Sequence, residues 1–170
     1  MKTVFRINRR LEPGRYPLTD VFADIRACEI LSDIFADEKE IDAVIARTMV
    51  SVGDIPHEIF VDNDDASIII GLKHLRETSD EILYLDIIHE LCHVKQHLQG
   101  RDLYDRSKAY VDRETEIEAY EITVREARRI GLTDDAILNY LRVSWITSEE
   151  HERLARTLGV NGGGREGALS

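Results

Sequence analysis

A chain of 170 residues, 43% of them hydrophobic and 32% charged, has the length of one domain and the apolar content for one buried core. Its net charge of −11 provides no general electrostatic attraction to nucleic acid or anionic lipid, so neither is an expected partner. The longest apolar run, about Ala66 to Leu72, falls well short of the ~18 residues of a membrane span.

The amino terminus is locally basic, with Lys2, Arg6, Arg9, Arg10 and Arg15 against Glu12, and reads as a solvated or chain-pairing start. Charges interrupt it before an apolar h-region can form, which predicts no secretory signal. Cys28 and Cys92 both fall in apolar helical patterns and read as buried free thiols. Together these features predict a cytoplasmic protein.

In chain order, Thr3–Ile7 reads as a short strand ended by the Pro13-Gly14 turn. From Thr19 to Phe35 the apolar residues Val21, Phe22, Ile25, Cys28, Ile30, Leu31, Ile34 and Phe35 follow a helical period. Ile41, Val44 and Ile45 continue it towards Met49 after a break near Asp37. Glu58–Val61 and Ser67–Leu72 read as strands joined by a hairpin loop at Asp62-Asn63-Asp64-Asp65. Thr78 and Glu81 have capping-box spacing and open a helix running to about Leu98, before Gly100. Further helices are expected over Lys108–Ile130, closed by Gly131; over Asp134–Val143, capped by Thr133; and over about Ser148–Leu158. The predicted architecture is a single α+β domain over residues 1–160, mostly helical, with a small sheet preceding the central helix. Residues 161–170 are too glycine-rich to be expected to order alone.

Chemistry concentrates in His89-Glu90-Leu91-Cys92-His93. Four helical residues advance ~400°, so both imidazoles project from nearly one face, one turn apart. They can reach one zinc ion, while Glu90, offset by ~100°, can reach a water on that ion and act as its base. The flanking Ile87, Ile88, Leu91 and Val94 are apolar, so these histidines interrupt a buried stretch and do not decorate a wet face. A third ligand must come from elsewhere, and the run from Arg113 to Glu121 offers four carboxylates: Glu114, Glu116, Glu118 and Glu121.

HELCHVKQH followed after about twenty residues by ETEIEAYE resembles the gluzincin branch of zincin metallopeptidases, most closely the minigluzincins and ImmA/IrrE-like peptidases. The resemblance covers about residues 79–130 and implies a zincin-like fold. It further implies a third ligand in an ExxA pattern on the following helix, which Glu116-Ile117-Glu118-Ala119 matches. Tyr120 stands where an acidic or amide residue is common in that branch. Helical spacing favours the same residue: Glu116 and Ala119 share a face, and a small alanine admits a close neighbour. Glu118 lies ~200° from Glu116 and remains the alternative, with Glu114 or Glu121 behind it, in what otherwise reads as a solvated row.

The remaining histidines read as solvated or surface residues: His57 and His74 beside the strands, His97 about 80° off the ligand face, and His151 among glutamates. His151 is also a candidate to steady a developing oxyanion, as are Tyr104, Tyr110, Tyr120 and Tyr140, each otherwise a packing residue. The run Ala66–Leu72 fits a buried strand by composition. The resemblance implies instead an edge strand along a peptide cleft, where Gly71 would permit close backbone approach.

The expected function is zinc-dependent peptide-bond hydrolysis on a peptide or protein substrate. His89, His93 and Glu116 are the expected metal ligands and Glu90 the proton shuttle. Two other readings are a regulatory zincin-fold binding module with little or no turnover, and a domain whose zinc is purely structural. The presence of Glu90 counts against both, because a structural ion needs no base beside its ligands.

Overall fold

A computed structural model describes residues 6–162. Residues 1–5, where most of the expected first strand falls, lie outside them, as does the glycine-rich tail from residue 163. The described residues form two compact units that divide between Leu103 and Tyr104. The architecture is α+β and mostly helical, with its sheets ahead of the central helix in sequence.

In the first unit, β1 (Arg6–Ile7) pairs antiparallel with β3 (Phe22–Ala23) as a two-residue ribbon. A four-stranded sheet is built from β2 (Gly14–Pro17), β4 (Met49–Gly53), β5 (Ile59–Val61) and β6 (Ile68–Gly71), in the order β2-β4-β6-β5. β4 and β6 run parallel and the outer pairs antiparallel. The β5–β6 hairpin follows the sequence reading with slightly trimmed ends, Val61 facing Ile68. β6 is paired on both sides, so the expected edge strand at Ala66–Leu72 is an interior one. The edges are β2 and β5. An apolar run with Ile68 and Ile70 fully buried suits that interior position.

Gly71 does serve close backbone approach, but to this chain itself. A Cβ there would stand 2.1 Å from the carbonyl oxygen of His57, and Gly71 N–H donates to the Glu58 carbonyl at 2.8 Å. Its φ of −69° is ordinary, so space and not backbone conformation selects glycine. Gly71→Ala is therefore expected to cost about 1–3 kcal/mol by forcing the 55–58 loop off the sheet. Gly53→Ala, whose new Cβ would make only ordinary contact, should change stability by well under half of that. Denaturant midpoints of the two variants check the difference.

The helical period read over Thr19–Phe35 does not produce one helix. It produces α1 (Leu18–Val21), the strand β3, a 3-10 turn at Ile25–Ala27 and α2 (Leu31–Ile34). Pairing of Phe22–Ala23 with β1 and the left-handed Asp24 (φ 66°) interrupt the helix. All eight apolar residues of the pattern are nonetheless buried, because such short turns still place them on one side. The break at Asp37 is as expected: its carboxylate accepts from Glu40 N–H and opens α3 (Glu38–Arg47). Met49 begins β4 and does not extend that helix.

After β6 comes α4 (Leu72–Glu77), then the central helix α5 (Asp80–Leu98). Its N-cap is Ser79, whose hydroxyl accepts from Ile82 N–H. The expected cap Thr78 instead engages His74, so the helix starts one residue later than Thr78/Glu81 spacing implies. Gly100, at φ 75°, follows its end. From Leu83 to Gln96 nearly every residue of α5 is buried, as expected of a helix that is apolar all round.

The second unit opens with a 3-10 turn at Tyr110–Asp112 in place of the first part of the expected 108–130 helix. It continues with α6 (Glu114–Arg129), α7 (Asp134–Leu141) and α8 (Ser148–Leu158), which pack on one another. Thr133 caps α7 as expected, and Thr147 with Glu150 forms a full capping box on α8. Among the described residues no helix is long and apolar enough to cross a membrane. Cys28 and Cys92 are buried free thiols, as read from their apolar settings.

Candidate metal centre

His89 and His93 occur one turn apart on α5, and their side chains meet as the spacing requires. The rings stand nearly perpendicular, with Nε2 atoms 3.2 Å apart. Two nitrogens each about 2.0–2.1 Å from one tetrahedral ion would be separated by roughly 3.3–3.4 Å, so this spacing suits a shared metal. The Nδ1–H of His93 donates to the Gln96 amide oxygen at 2.7 Å. That bond fixes the proton on Nδ1 and leaves the Nε2 lone pair pointing towards His89, the tautomer a metal ligand needs.

α6 supplies the carboxylate. Glu116 is buried together with Ala119, one turn on, whereas Glu114, Glu118 and Glu121 are exposed. One ligand atom from each of His89, His93 and Glu116 lies within 4.8 Å of the others, and all three residues are buried. The group can hold a metal ion: two imidazoles and one carboxylate are a donor set suited to a borderline-soft divalent cation. Glu90, beside His89 on α5, is also buried.

Neighbouring contacts fix the frame. Lys95 of α5 forms a short ion pair with Glu40 of α3 and stands 6.0 Å from the Phe35 ring centroid. The Lys95 hydrogen bond, followed by one from Ala36 N–H, holds the Glu40 carboxyl below its ordinary value. On the amino-terminal side, His74 Nε2 lies 2.7 Å from Asp86 Oδ2 and joins α4 to α5. His74 is therefore an enclosed residue hydrogen-bonded to Asp86 and not a solvated one; the sequence does not announce this partner because Asp86 is twelve residues away.

His151 is also corrected. It is buried, not exposed, and its Nε2–H donates to the Leu138 carbonyl at 2.7 Å, joining α8 to α7. That bond directs Nε2 to the backbone of α7. His97 is half-buried, with Nε2–H donating to the Asn63 carbonyl at 2.8 Å, while His57 is exposed as expected. Of the candidate tyrosines, Tyr104 is exposed and Tyr140 half-buried, and Tyr110 and Tyr120 share a hydroxyl–hydroxyl hydrogen bond of 2.7 Å. Tyr120 lies one turn beyond Glu116 on α6, and the Tyr110 ring in turn packs edge-on against Trp145.

Gln96 has no counterpart in the sequence reading. The available signal was its position three residues after His93, which brings the two side chains to one helix face. Comparison with known proteins returned no match: no family model, no curated protein and no solved structure. What stands without them is an α+β fold carrying a buried His89–His93–Glu116 group that can bind a metal ion.

Proposed function

We propose that this chain is a zinc-dependent peptidase of the gluzincin type, in which His89, His93 and Glu116 hold the ion and Glu90 is the general base. The observation that carries this reading is the convergence of three buried ligand atoms within 4.8 Å beside a buried glutamate of the same helix. Among the described residues no fourth His, Cys, Asp or Glu joins the group. Three protein ligands favour an open catalytic position over a closed structural site, which takes four.

Zinc, when bound, supplies Lewis-acid polarisation of a carbonyl and lowers the pKa of water at the site. The chain supplies the rest. Glu90 takes a proton from the attacking water and delivers it to the departing amine, so one carboxylate serves both halves of the hydrolysis. Gln96 holds the His93 imidazole in its ligating tautomer. An extended substrate would add alongside β5, an outer strand of the sheet and one that packs against α5. Two buried free thiols fit a reducing compartment, and the cytoplasm is the proposed location.

The test is metal content with chelator-sensitive cleavage. Protein purified without added metal or chelator should carry, or take up, about one zinc per chain. It should release new amino termini from a peptide library, and 1,10-phenanthroline should stop that release. A chain that binds no transition metal at neutral pH would end the proposal.

A further inference from the structure

The first unit contains a cavity of about 310 Å³ whose lining includes none of His89, Glu90, His93 or Glu116. The end of α3, the start of β4, the β5–β6 hairpin, the last turns of α5 and Arg15 of β2 converge on it. Two guanidiniums line it in a chain of net charge −11. Arg15 pairs with Asp65 at 3.1 Å, and Asp65 also accepts from the hydroxyl and N–H of Ser67, the contacts that hold its carboxyl below the ordinary range. Asp65 is thus already satisfied by its own loop and by Arg15.

Arg47 is different. Among the described residues it makes no ion pair and no hydrogen bond, although it lines a cavity whose single carboxylate is engaged elsewhere. With Arg15 and Arg47 against Asp65, the lining keeps one uncompensated positive charge. Val94 and Met49 give the same cavity an apolar wall. The hairpin that borders it turns through Ala66 at φ 61°, the left-handed residue that closes the loop on Asp62 and Ser67.

We propose that this cavity binds a small organic anion, its carboxylate or phosphate group seated on Arg47 with Arg15 alongside and its apolar body against Val94 and Met49. A guanidinium presents a planar pair of N–H donors that matches either oxyanion bidentately. The apolar wall favours an anion with a short hydrocarbon part over a bare inorganic ion. The site is separate from the metal group and does not depend on the peptidase reading.

Amide NMR titrations of the full chain test it, with 4-methylpentanoate, 4-methylpentanamide, isopentyl phosphate and inorganic phosphate as probes. Each is run on chelator-stripped and on zinc-loaded protein. Either organic anion should shift the amides of Thr48, Ala66 and Ser67 saturably in both forms, and the stronger of the two identifies the headgroup. The neutral amide should bind at least about tenfold more weakly. Arg47→Gln should weaken anion binding by a similar factor, Arg47→Lys by less, and Arg10→Gln, outside the lining, not at all. Equal binding of the amide reduces the cavity to an apolar groove and overturns the proposal, as does unchanged affinity in Arg47→Gln. Saturation only by inorganic phosphate likewise overturns it. Shifts confined to the zinc-loaded form place the anion on the metal; they remove this site and leave the peptidase reading standing.

Discussion

Glu90→Gln should retain the metal and the fold while lowering chelator-sensitive peptide cleavage by about two to four orders of magnitude, the range of a lost general base. The substitution preserves size and helix propensity and leaves a polar group in the same buried place, so the packing of α5 has no reason to change. What it removes is the carboxylate that accepts a proton. Because Glu90 lies ~100° around the helix from His89, it is not expected to touch the ion, and zinc affinity should stay within a few-fold of wild type. Cleavage is measured on a substrate found by sequencing the new termini released from a peptide library. Equal cleavage by variant and wild type would assign the chemistry to another base. Loss of metal and activity together would make Glu90 a ligand and refute its role here.

The parts of this site that are legible in the sequence are those written within one helix. The i, i+4 spacing of His89 and His93 fixes their approach, because helical geometry converts sequence distance directly into direction. The choice of Glu116 over Glu118 comes from the resemblance to the ExxA pattern, which periodicity supports without settling; in the structure Glu116 shares a buried face with Ala119, while Glu118 lies on the exposed row with Glu114 and Glu121. Partnerships between elements are not legible in this way. His74 with Asp86 and His151 with Leu138 turn apparently solvated histidines into enclosed ones, and nothing local to either histidine predicts its partner. The same limit applies to the segment Thr19–Phe35. Its apolar residues are all buried, but two residues of strand pairing with β1 and a left-handed Asp24 override the helical period. Periodicity thus identifies the buried side correctly where it misidentifies the backbone, since a helix and a chain of short turns can bury the same residues. The exchange of Thr78 for Ser79 as N-cap has a different origin. Both residue types can cap, and the His74 ring takes the Thr78 hydroxyl.

Glu116→Ala should lower zinc affinity by at least about a hundredfold, more than any other single change on α6. Loss of a direct ligand should meet or exceed the 10–100-fold typical of a lost supporting contact, because it leaves two imidazoles and no protein charge on the ion. Glu114→Ala, Glu118→Ala and Glu121→Ala remove carboxylates from the exposed row and should leave affinity within a few-fold. Gln96→Ala falls between these limits: it frees the His93 ring to adopt the wrong tautomer without removing a donor, and a 10–100-fold loss is expected. Competition against a coloured zinc chelator at neutral pH ranks all five variants. The same assay followed downward in pH should show release as protons compete with the metal for the two imidazoles. The Glu116 variant, with weaker binding to oppose protonation, should release zinc at the higher pH. If Glu118→Ala alone releases the ion, the metal-facing side of α6 is turned by two residues and the assignment of Glu116 fails. If Glu116→Ala and Glu114→Ala prove equal, the carboxylate of α6 is not a ligand at all.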